Sequence, residues 1–306
     1  MRLIFIATGD IALPSFRYLL EHGPRPLAVV TQPDKPVGRH QVLSPPAVKS
    51  EALAAGIPVF QPQKIGDITA ELAALDPELL VVMAYGQILR KDILTLASKA
   101  IINLHASILP KYRGAACIQA AIDAGDVETG ITAMHVVRQL DAGDVILIKT
   151  IPIAPDETGG SLHDRLALLA PDALSEALAK LSDGTATRVP QDDSLSTYIS
   201  KLERDDGRLD WAQPAAHIAR RIRAYDPWPG TFTIALEGGK EKRLKIFPPT
   251  EIVQHLLAPG EVANIDGHLV IGCGQNSLRL ESVQPDGSRR MSGRDYLRGR
   301  KPEMLK

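Results

Sequence analysis

A doubly wound, Rossmann-like α/β domain followed by a small OB-like β-barrel is the fold class this sequence predicts. Three observations lead to it. Short apolar runs alternate with helical patterns through the first half of the chain. The texture turns polar and proline-containing from residue 187. Beyond it, β-rich runs are separated by turns that carry glycine or proline. Alternation of strand and helix marks a parallel sheet covered on both faces, whereas closely spaced strands with turn signals mark a sandwich or barrel.

The elements follow in order. "RLIFIAT" (2–8), "PLAVVT" (26–31), "ELLVVMA" (78–84) and "AIINLHA" (100–106) are nearly continuous apolar runs, as expected of strands buried on both faces. Between them, "SFRYLLEHG" (15–23), "AVKSEALAAG" (47–56) and "ITAELAALD" (68–76) read as helices. Further strands are expected at "GITAMHVV" (130–137) and "DVILIKTIPI" (144–153), then a helix from Ser161 to Leu181 that stops at Gly184. The polar stretch 187–214 reads as a connection with little helix. A short basic helix, "AAHIARRIRAYDP" (215–227), precedes the runs "TFTIAL", "KRLKIF", "GEVANI", "HLVIGC" and "LRLESV", which suit an OB-type barrel. The expected division is a domain over 1–186, a linker over 187–206 and a barrel domain over 207–306.

Composition narrows the class. The chain has 306 residues, 35 basic and 36 acidic side chains and 44% hydrophobic content, a length suited to two domains. A net charge near zero excludes a uniformly basic nucleic-acid coat, though not a local basic face. Cys117 and Cys273 are far apart and form neither a disulfide framework nor a zinc site. Both read as reduced thiols of a cytoplasmic protein. The apolar run in "MRLIFIATGD" is too short for a signal-peptide core or a membrane span.

The loop after the first strand, "ATGDIALPSF", has one glycine where a dinucleotide fingerprint needs three. GxxxxGK[ST] and HExxH do not occur, and the eight histidines show no metal-ligand spacing. No metal is expected.

The chemistry concentrates in "IINLHASILPKYRGA" (101–115). Residues i and i+2 of a strand point to one face, so Asn103 and His105 project together at the carboxyl end of a strand, where open α/β sheets bind ligands. A second loop, "RQLDAGDV" (138–145), supplies Asp141. These are the parts of an acyl-transfer site without a covalent nucleophile. Asn103 and His105 would donate to a developing oxyanion, each worth about 3 kcal/mol in a dry site. Asp141 would orient the imidazole and raise its pKa from roughly 6.5.

"NLHASILPKYRGAACIQAAI" resembles the NxHxSLLPxxRGxxPIQ signature of the 10-formyltetrahydrofolate-dependent formyltransferases. "ETGITAMHVVRQLDAGDV" is similar to their companion ETGVT segment. The resemblance implies a Rossmann-like catalytic domain with Asn103, His105 and Asp141 as catalytic residues. It implies 10-formyltetrahydrofolate as co-substrate, held by Ser107, Ile108, Leu109 and Pro110 and, through a segment like "AYGxIL", by Ile88 and Leu89. "TQPDKPVGRHQVLSPPAVK" (31–49), "FQPQKI", "LSTYISKLERDDGRLDW" and "IRAYDPWPGTF" are similar to the branch that formylates initiator methionyl-tRNA. That branch implies a tRNA-binding barrel, a monomer and contacts from Lys35, Arg39, His40 and Lys49. Loop 31–50 carries these cations among four prolines, and the tail 287–306 holds seven basic against two acidic residues, which suit a phosphate backbone. Either is otherwise a solvated surface. Lys111 and Arg113 would approach the acceptor end, or Arg113 would brace its loop. Three features depart from the pattern: "ATGDI" replaces a GTPxF turn, Cys117 stands where proline is usual, and His40 and Gln41 stand where relatives often carry more lysine.

Three alternatives remain at this level. An N-formyltransferase acting on an amino sugar nucleotide would share the site without needing the loop or the basic barrel. A non-catalytic RNA-binding protein would not need Asn103, His105 and Asp141. Formyl-folate hydrolysis would put water in place of the amine.

Overall fold

The structure, a computed structural model, describes residues 1–37, 41–300 and 302–306. It comprises two units, one of Met1–Cys117, Glu128–Ile151 and His163–Ser200, the other of Ile118–Val127, Pro152–Leu162 and Lys201–Lys306. In the first unit the strands are β1 (Leu3–Ala7), β2 (Ala28–Val30), β3 (Lys35–Val37), β4 (Val42–Ser44), β5 (Val59–Phe60), β6 (Leu79–Met83), β7 (Ala100–His105), β8 (Arg113–Gly114), β9 (Glu128–His135), β10 (Val145–Pro152) and β11 (Tyr198–Ile199). The helices are α1 (Leu13–Glu21), α2 (Ala47–Ala54), α3 (Thr69–Ala74) and α4 (Lys91–Leu94). Two more, α5 (Cys117–Ala124) and α6 (Gly159–Asp183), belong in part to each unit.

Seven strands form one sheet in the order β10-β9-β7-β6-β1-β2-β5. The pairs β2–β5, β1–β2, β1–β6 and β6–β7 are parallel, and β9 is antiparallel to β7. The chain leaves β1 toward β2 and β5 and then returns to place β6 on the other side of β1. That reversal makes the β1–β6 boundary a topological switch point, whose carboxyl edge is the usual place for a ligand. The loops meet there: Gly9 N donates to Ala84 O at 3.1 Å and Thr8 Oγ1 to Tyr85 O at 3.2 Å.

The apolar runs explain the sheet. Every residue of β1 and β6 is buried. Their alternate residues Ile4, Ile6, Leu80 and Val82 pack on one face with Ile65, Leu72 and Ile93. On β1 the intervening Phe5 stacks on Phe16 of α1 with ring centroids 5.6 Å apart. The strands expected in this half are therefore β1, β2, β6, β7, β9 and β10. Loop 31–50 contains a hairpin that the sequence reading did not foresee, with Lys35 opposite Ser44 and Pro36 opposite Leu43. Pro36 reads as a breaker, yet a two-stranded ribbon has edges on both sides and tolerates its missing N–H.

In the second unit α7 (Ala215–Ala224) packs with β12 (Thr231–Glu237), β13 (Lys240–Val253), β14 (Val262–Ile265), β15 (His268–Gly272), β16 (Ser277–Pro285), β17 (Met291–Ser292), α8 (Gly293–Gly299) and β18 (Pro302–Leu305). The antiparallel order is β14-β15-β16-β13-β12-β18. Leu305 N donates to Gly260 O at 2.8 Å beside a Glu261–Met304 bridge, bringing the two edge strands together as a barrel requires. On β13, Leu244 and Ile246 are buried while Arg243 and Lys245 are exposed, the alternation of a strand wet on one side. The core joins them to Ile218 and Ile222 of α7, Trp211, Leu269, Ile271, Leu280 and Tyr296. The C-terminal stretch is more structured than a basic tail. Ser292 Oγ accepts from Asp295 N at 3.0 Å and caps α8, and β18 completes the barrel; Lys301 lies outside the described residues. No described helix is long and apolar enough to cross a membrane.

Leu80 sits at the centre of the parallel sheet, fully buried. Leu80→Ala is expected to lower the unfolding free energy by about 2–5 kcal/mol, measured by urea titration of the sheet's far-UV signal. A loss below about 1 kcal/mol would place Leu80 outside the core that holds the switch point.

Candidate active site

β7 ends in Asn103 and His105 on the carboxyl edge of the sheet, beside Val82 of β6. Both project to one side, and Asp141 arrives there from the turn between β9 and β10. Asn103 Nδ2 donates to Asp141 Oδ1 at 3.4 Å, and Asp141 Oδ2 lies 3.7 Å from His105 Nδ1. The same Oδ2 accepts from Gly114 N at 2.8 Å. The structure thus brings Asn103, His105 and Asp141 together, although 38 residues separate the first and last.

His105 is buried, and its Nε2 is 2.9 Å from Tyr112 O. A carbonyl only accepts, so Nε2 carries a proton. Burial works against charging the ring. The Cys117 sulfur, the Asp141 carboxylate and the Tyr112 carbonyl outweigh that, and the His105 pKa is pushed up to about 9. The site therefore holds an imidazolium at neutral pH. Its two nitrogens face Asp141 and Tyr112 O, so it offers a fixed positive charge, and a donor when Nε2 exchanges Tyr112 O for another acceptor.

The surrounding loops are tightly specified. Ala84, Tyr112 and Asp141 all have positive φ, at 47°, 60° and 49°. Left-handed non-glycine residues cost free energy and collect at functional sites. Gly143 closes the Asp141 turn, and a Cβ there would lie 1.7 Å from His135 O. Gly114 has φ 110°, and a Cβ there would lie 2.2 Å from Ile199 O, because β8 pairs with β11.

The other expected residues are placed as follows. Ser107 is fully buried and spends its hydroxyl on Lys111 O at 2.7 Å, while Thr132 Oγ1 donates to Ser107 O and accepts from Leu109 N. Leu109 and Leu89 are buried, Leu89 in the core under the sheet. Ile88 is exposed, and Ile108 and Pro110 are partly so. Lys35 is exposed and bonds Gln32. Lys49 sits away from solvent more than expected, with Nζ 2.8 Å from both Asp34 carboxylate oxygens. Hydrogen bonds from Gln61 and Lys49 hold the Asp34 pKa below its ordinary value. Arg39 and His40 lie outside the described residues. The hairpin also exposes Val42 and Leu43, which a reading based on charge overlooked.

Arg113 braces the loop. Its side chain is 0% exposed, with Nη1 2.9 Å from Tyr198 Oη and Nη2 2.7 Å from Asp193 Oδ1 and 2.8 Å from Gln191 Oε1. Burial opposes its charge, and Tyr198 and Asp193 more than compensate. Gln191, Asp193 and Tyr198 come from the stretch expected to be a linker, which carries no local mark of such a role. Among the described residues no cluster of three or more His, Cys, Asp or Glu could hold a metal ion.

Asn103, His105 and Asp141 thus meet at the carboxyl edge of a doubly wound sheet, where open α/β folds bind ligands. The formyl transferase family matches residues 7–178 and its C-terminal domain matches residues 201–301; the chain belongs to this family. Methionyl-tRNA formyltransferase of Akkermansia muciniphila is 51% identical over 297 residues, covering 95% of this chain and 94% of that protein. That of Geobacter metallireducens is 44% identical, covering 98% and 96%. Among solved structures, the N-formyltransferase from Helicobacter canadensis with folinic acid and dTDP-3-aminofucose superposes with TM-score 0.69 at 18% identity, covering 93% of this chain and 99% of that one. HypX from Aquifex aeolicus with tetrahydrofolic acid gives TM-score 0.63 at 20% identity over 97% of this chain, which spans 47% of HypX. At these identities the two structures share the fold.

The His105 environment has a direct consequence. In Cys117→Ala and in Asp141→Asn the imidazole is expected to titrate below the wild-type value of about 9, followed by NMR of the ring resonances. An Asp141→Asn titration equal to wild type would remove Asp141 from the groups that hold the charge.

Proposed function

We propose that the chain transfers the formyl group of 10-formyltetrahydrofolate to the α-amine of initiator methionyl-tRNA, releasing N-formylmethionyl-tRNA and tetrahydrofolate. The observation that carries this reading is identity to methionyl-tRNA formyltransferases of 51% over 95% of the chain, through the barrel as well as the sheet. The amino sugar alternative rests on structures at 18% identity or below.

The edge of the sheet fits a folate. Exposed Ile88 and partly exposed Ile108 and Pro110 end the loops after β6 and β7 and suit a flat ring. The backbone of the same loops supplies polar groups. A bound formyl donor supplies the one-carbon unit, and the side chains do the rest. As the amine nitrogen bonds to the formyl carbon, charge grows on the formyl oxygen. Asn103 Nδ2 donates to it, and His105 offers its positive charge and, by leaving Tyr112 O, its Nε2 proton. Each such donor is worth about 3 kcal/mol in a water-poor site. Asp141 keeps the ring charged and oriented. The carbon–nitrogen bond to the folate then breaks, with the proton shed by the amine passing through water to the departing nitrogen.

The tRNA is assigned to the hairpin and the barrel. Lys35, Arg39 and His40 are the cations assigned to its phosphates, while Lys49 is paired with Asp34. Both cysteines are free and buried, which supports a reducing cytoplasmic setting.

Purified protein with the formyl donor is expected to formylate charged initiator methionyl-tRNA and leave charged elongator methionyl-tRNA unmodified. His105→Ala and Asp141→Asn should each lower kcat by at least about 10²-fold with tRNA affinity kept. Formylation of neither tRNA, with folate still bound, would return the amino sugar reading. A second expectation concerns the loop: Arg39→Ala should raise the KM for tRNA and flatten its salt dependence by about one charge, with folate affinity unchanged. Loss of folate affinity in that variant would make the residue structural.

A further inference from the structure

We propose that Gln191 and Arg113 form a clamp that positions the Asp141 turn against His105, so that the stretch around 189–199 is part of the active-site scaffold and not a spacer.

All four hydrogen-bonding positions of the Gln191 amide are used. Its Oε1 accepts from Arg113 Nε at 3.1 Å and Nη2 at 2.8 Å. Its Nε2 donates to Asp141 O at 2.9 Å and Gly143 O at 2.8 Å. The amide has one orientation: flipped, its NH₂ would face a guanidinium and its oxygen two carbonyls. The guanidinium fixes the oxygen end, and the other end holds the two carbonyls that flank the tip of the turn.

That turn needs holding. Asp141 is left-handed at φ 49°, a conformation that survives where its surroundings over-determine it. Gly114 N grips the Asp141 carboxylate and Gln191 grips its backbone. Gly114 and Arg113 are adjacent, and Tyr112 O on the other side bonds His105. Residues 112–114 thus touch His105, Gln191 and Asp141 in succession. Tyr198 adds a second tie, its hydroxyl accepting from Arg113 Nη1 at 2.9 Å and from Gln139 Nε2 of the same turn at 3.1 Å. The β8–β11 pairing, Tyr198 opposite Arg113 and Ile199 opposite Gly114, keeps the stretch in register.

Gln191 contacts no reacting atom, so its effect must pass through Asp141 to His105. Besides Tyr112 O, the charged or titratable groups acting on His105 are Asp141 and Cys117, and only Asp141 is held by the clamp. The kinetic side of the test rests on the formyl-transfer reading; the spectroscopic side does not.

The test uses the full chain with Gln191→Met, which keeps length and charge but removes the amide, and Tyr198→Phe, a change on a half-exposed ring that the core does not depend on. Gln191→Met is expected to lower kcat at least about tenfold with the KM for the folate donor within about twofold, and to move the His105 titration downward. Tyr198→Phe should shift both in the same direction by less, and it decides the matter if Gln191→Met does not fold. A purely structural role would reduce the folded fraction and leave the titration of the remaining molecules unmoved. An unmoved His105 titration, or wild-type turnover in the face of a moved one, overturns the clamp. Should the wild-type protein transfer no formyl group, the functional reading falls and the titration alone decides the clamp.

Discussion

The contact between the Asp141 carboxylate and the His105 ring, 3.7 Å apart, constrains much of the architecture around it. The register of β7 and β9 makes this contact hard to reach. His135, the last residue of β9, pairs with Ile102, three positions short of His105. Because β9 runs antiparallel to β7, the chain leaving it heads away from the carboxyl edge. The turn 136–144 must fold back along β7 for Asp141 to meet Asn103 and His105. Gly143 lets the return strand pass His135 O, and a left-handed Asp141 points its carboxylate inward. Asp pays less than most residues for that conformation, since its short polar side chain bonds locally.

A reversal of this kind is stable only when its carbonyls and charges are satisfied. Arg113 supplies the solution at an electrostatic cost. A fully buried guanidinium is unfavourable unless its donors are used, and here they reach Gln191, Asp193 and Tyr198. Asp193 is itself largely exposed, at 70%, so the pair is desolvated on one side only. The burial of Arg113 is thereby tied to the order of the 189–199 stretch, and through Gln191 to the Asp141 turn.

This division explains what could be read from the chain. Asn103 and His105 were legible because strand periodicity puts i and i+2 on one face, and an amide and an imidazole are conspicuous after a buried apolar run. Asp141 was legible as a carboxylate in the one other loop joining expected strands. The parallel sheet was legible because β1 and β6 are apolar throughout. Gln191 was not, because a glutamine in a polar stretch has no periodicity and Arg113, Asp141 and Gly143, to which it bonds, lie 48 to 78 residues away. The surroundings of Lys49 were hidden for a related reason: only the fold brings Asp34 to it, with Gln61 bonded to the same carboxylate. The cap of α8 was locally visible, as Ser292 three residues before Asp295, but the surrounding arginines drew attention to charge instead.

His105 then meets two demands that conflict. In the proposed transfer a charged imidazole is wanted for the developing oxyanion, yet burial favours the neutral ring. Three neighbours resolve this by different means: Asp141 by charge, Cys117 through its sulfur, Tyr112 by a backbone carbonyl. The carbonyl differs from the other two because it occupies Nε2, the proton an acceptor would use. Losing Asp141 would lower the ring's pKa, whereas Tyr112 O can be exchanged, since any incoming oxygen of greater negative charge is a stronger acceptor than a peptide carbonyl. The exchange is therefore least favourable for a neutral formyl oxygen and most favourable as that oxygen becomes anionic. A donor held by a weaker competitor in the ground state discriminates in favour of the transition state, and the left-handed Tyr112 sets where that competitor stands.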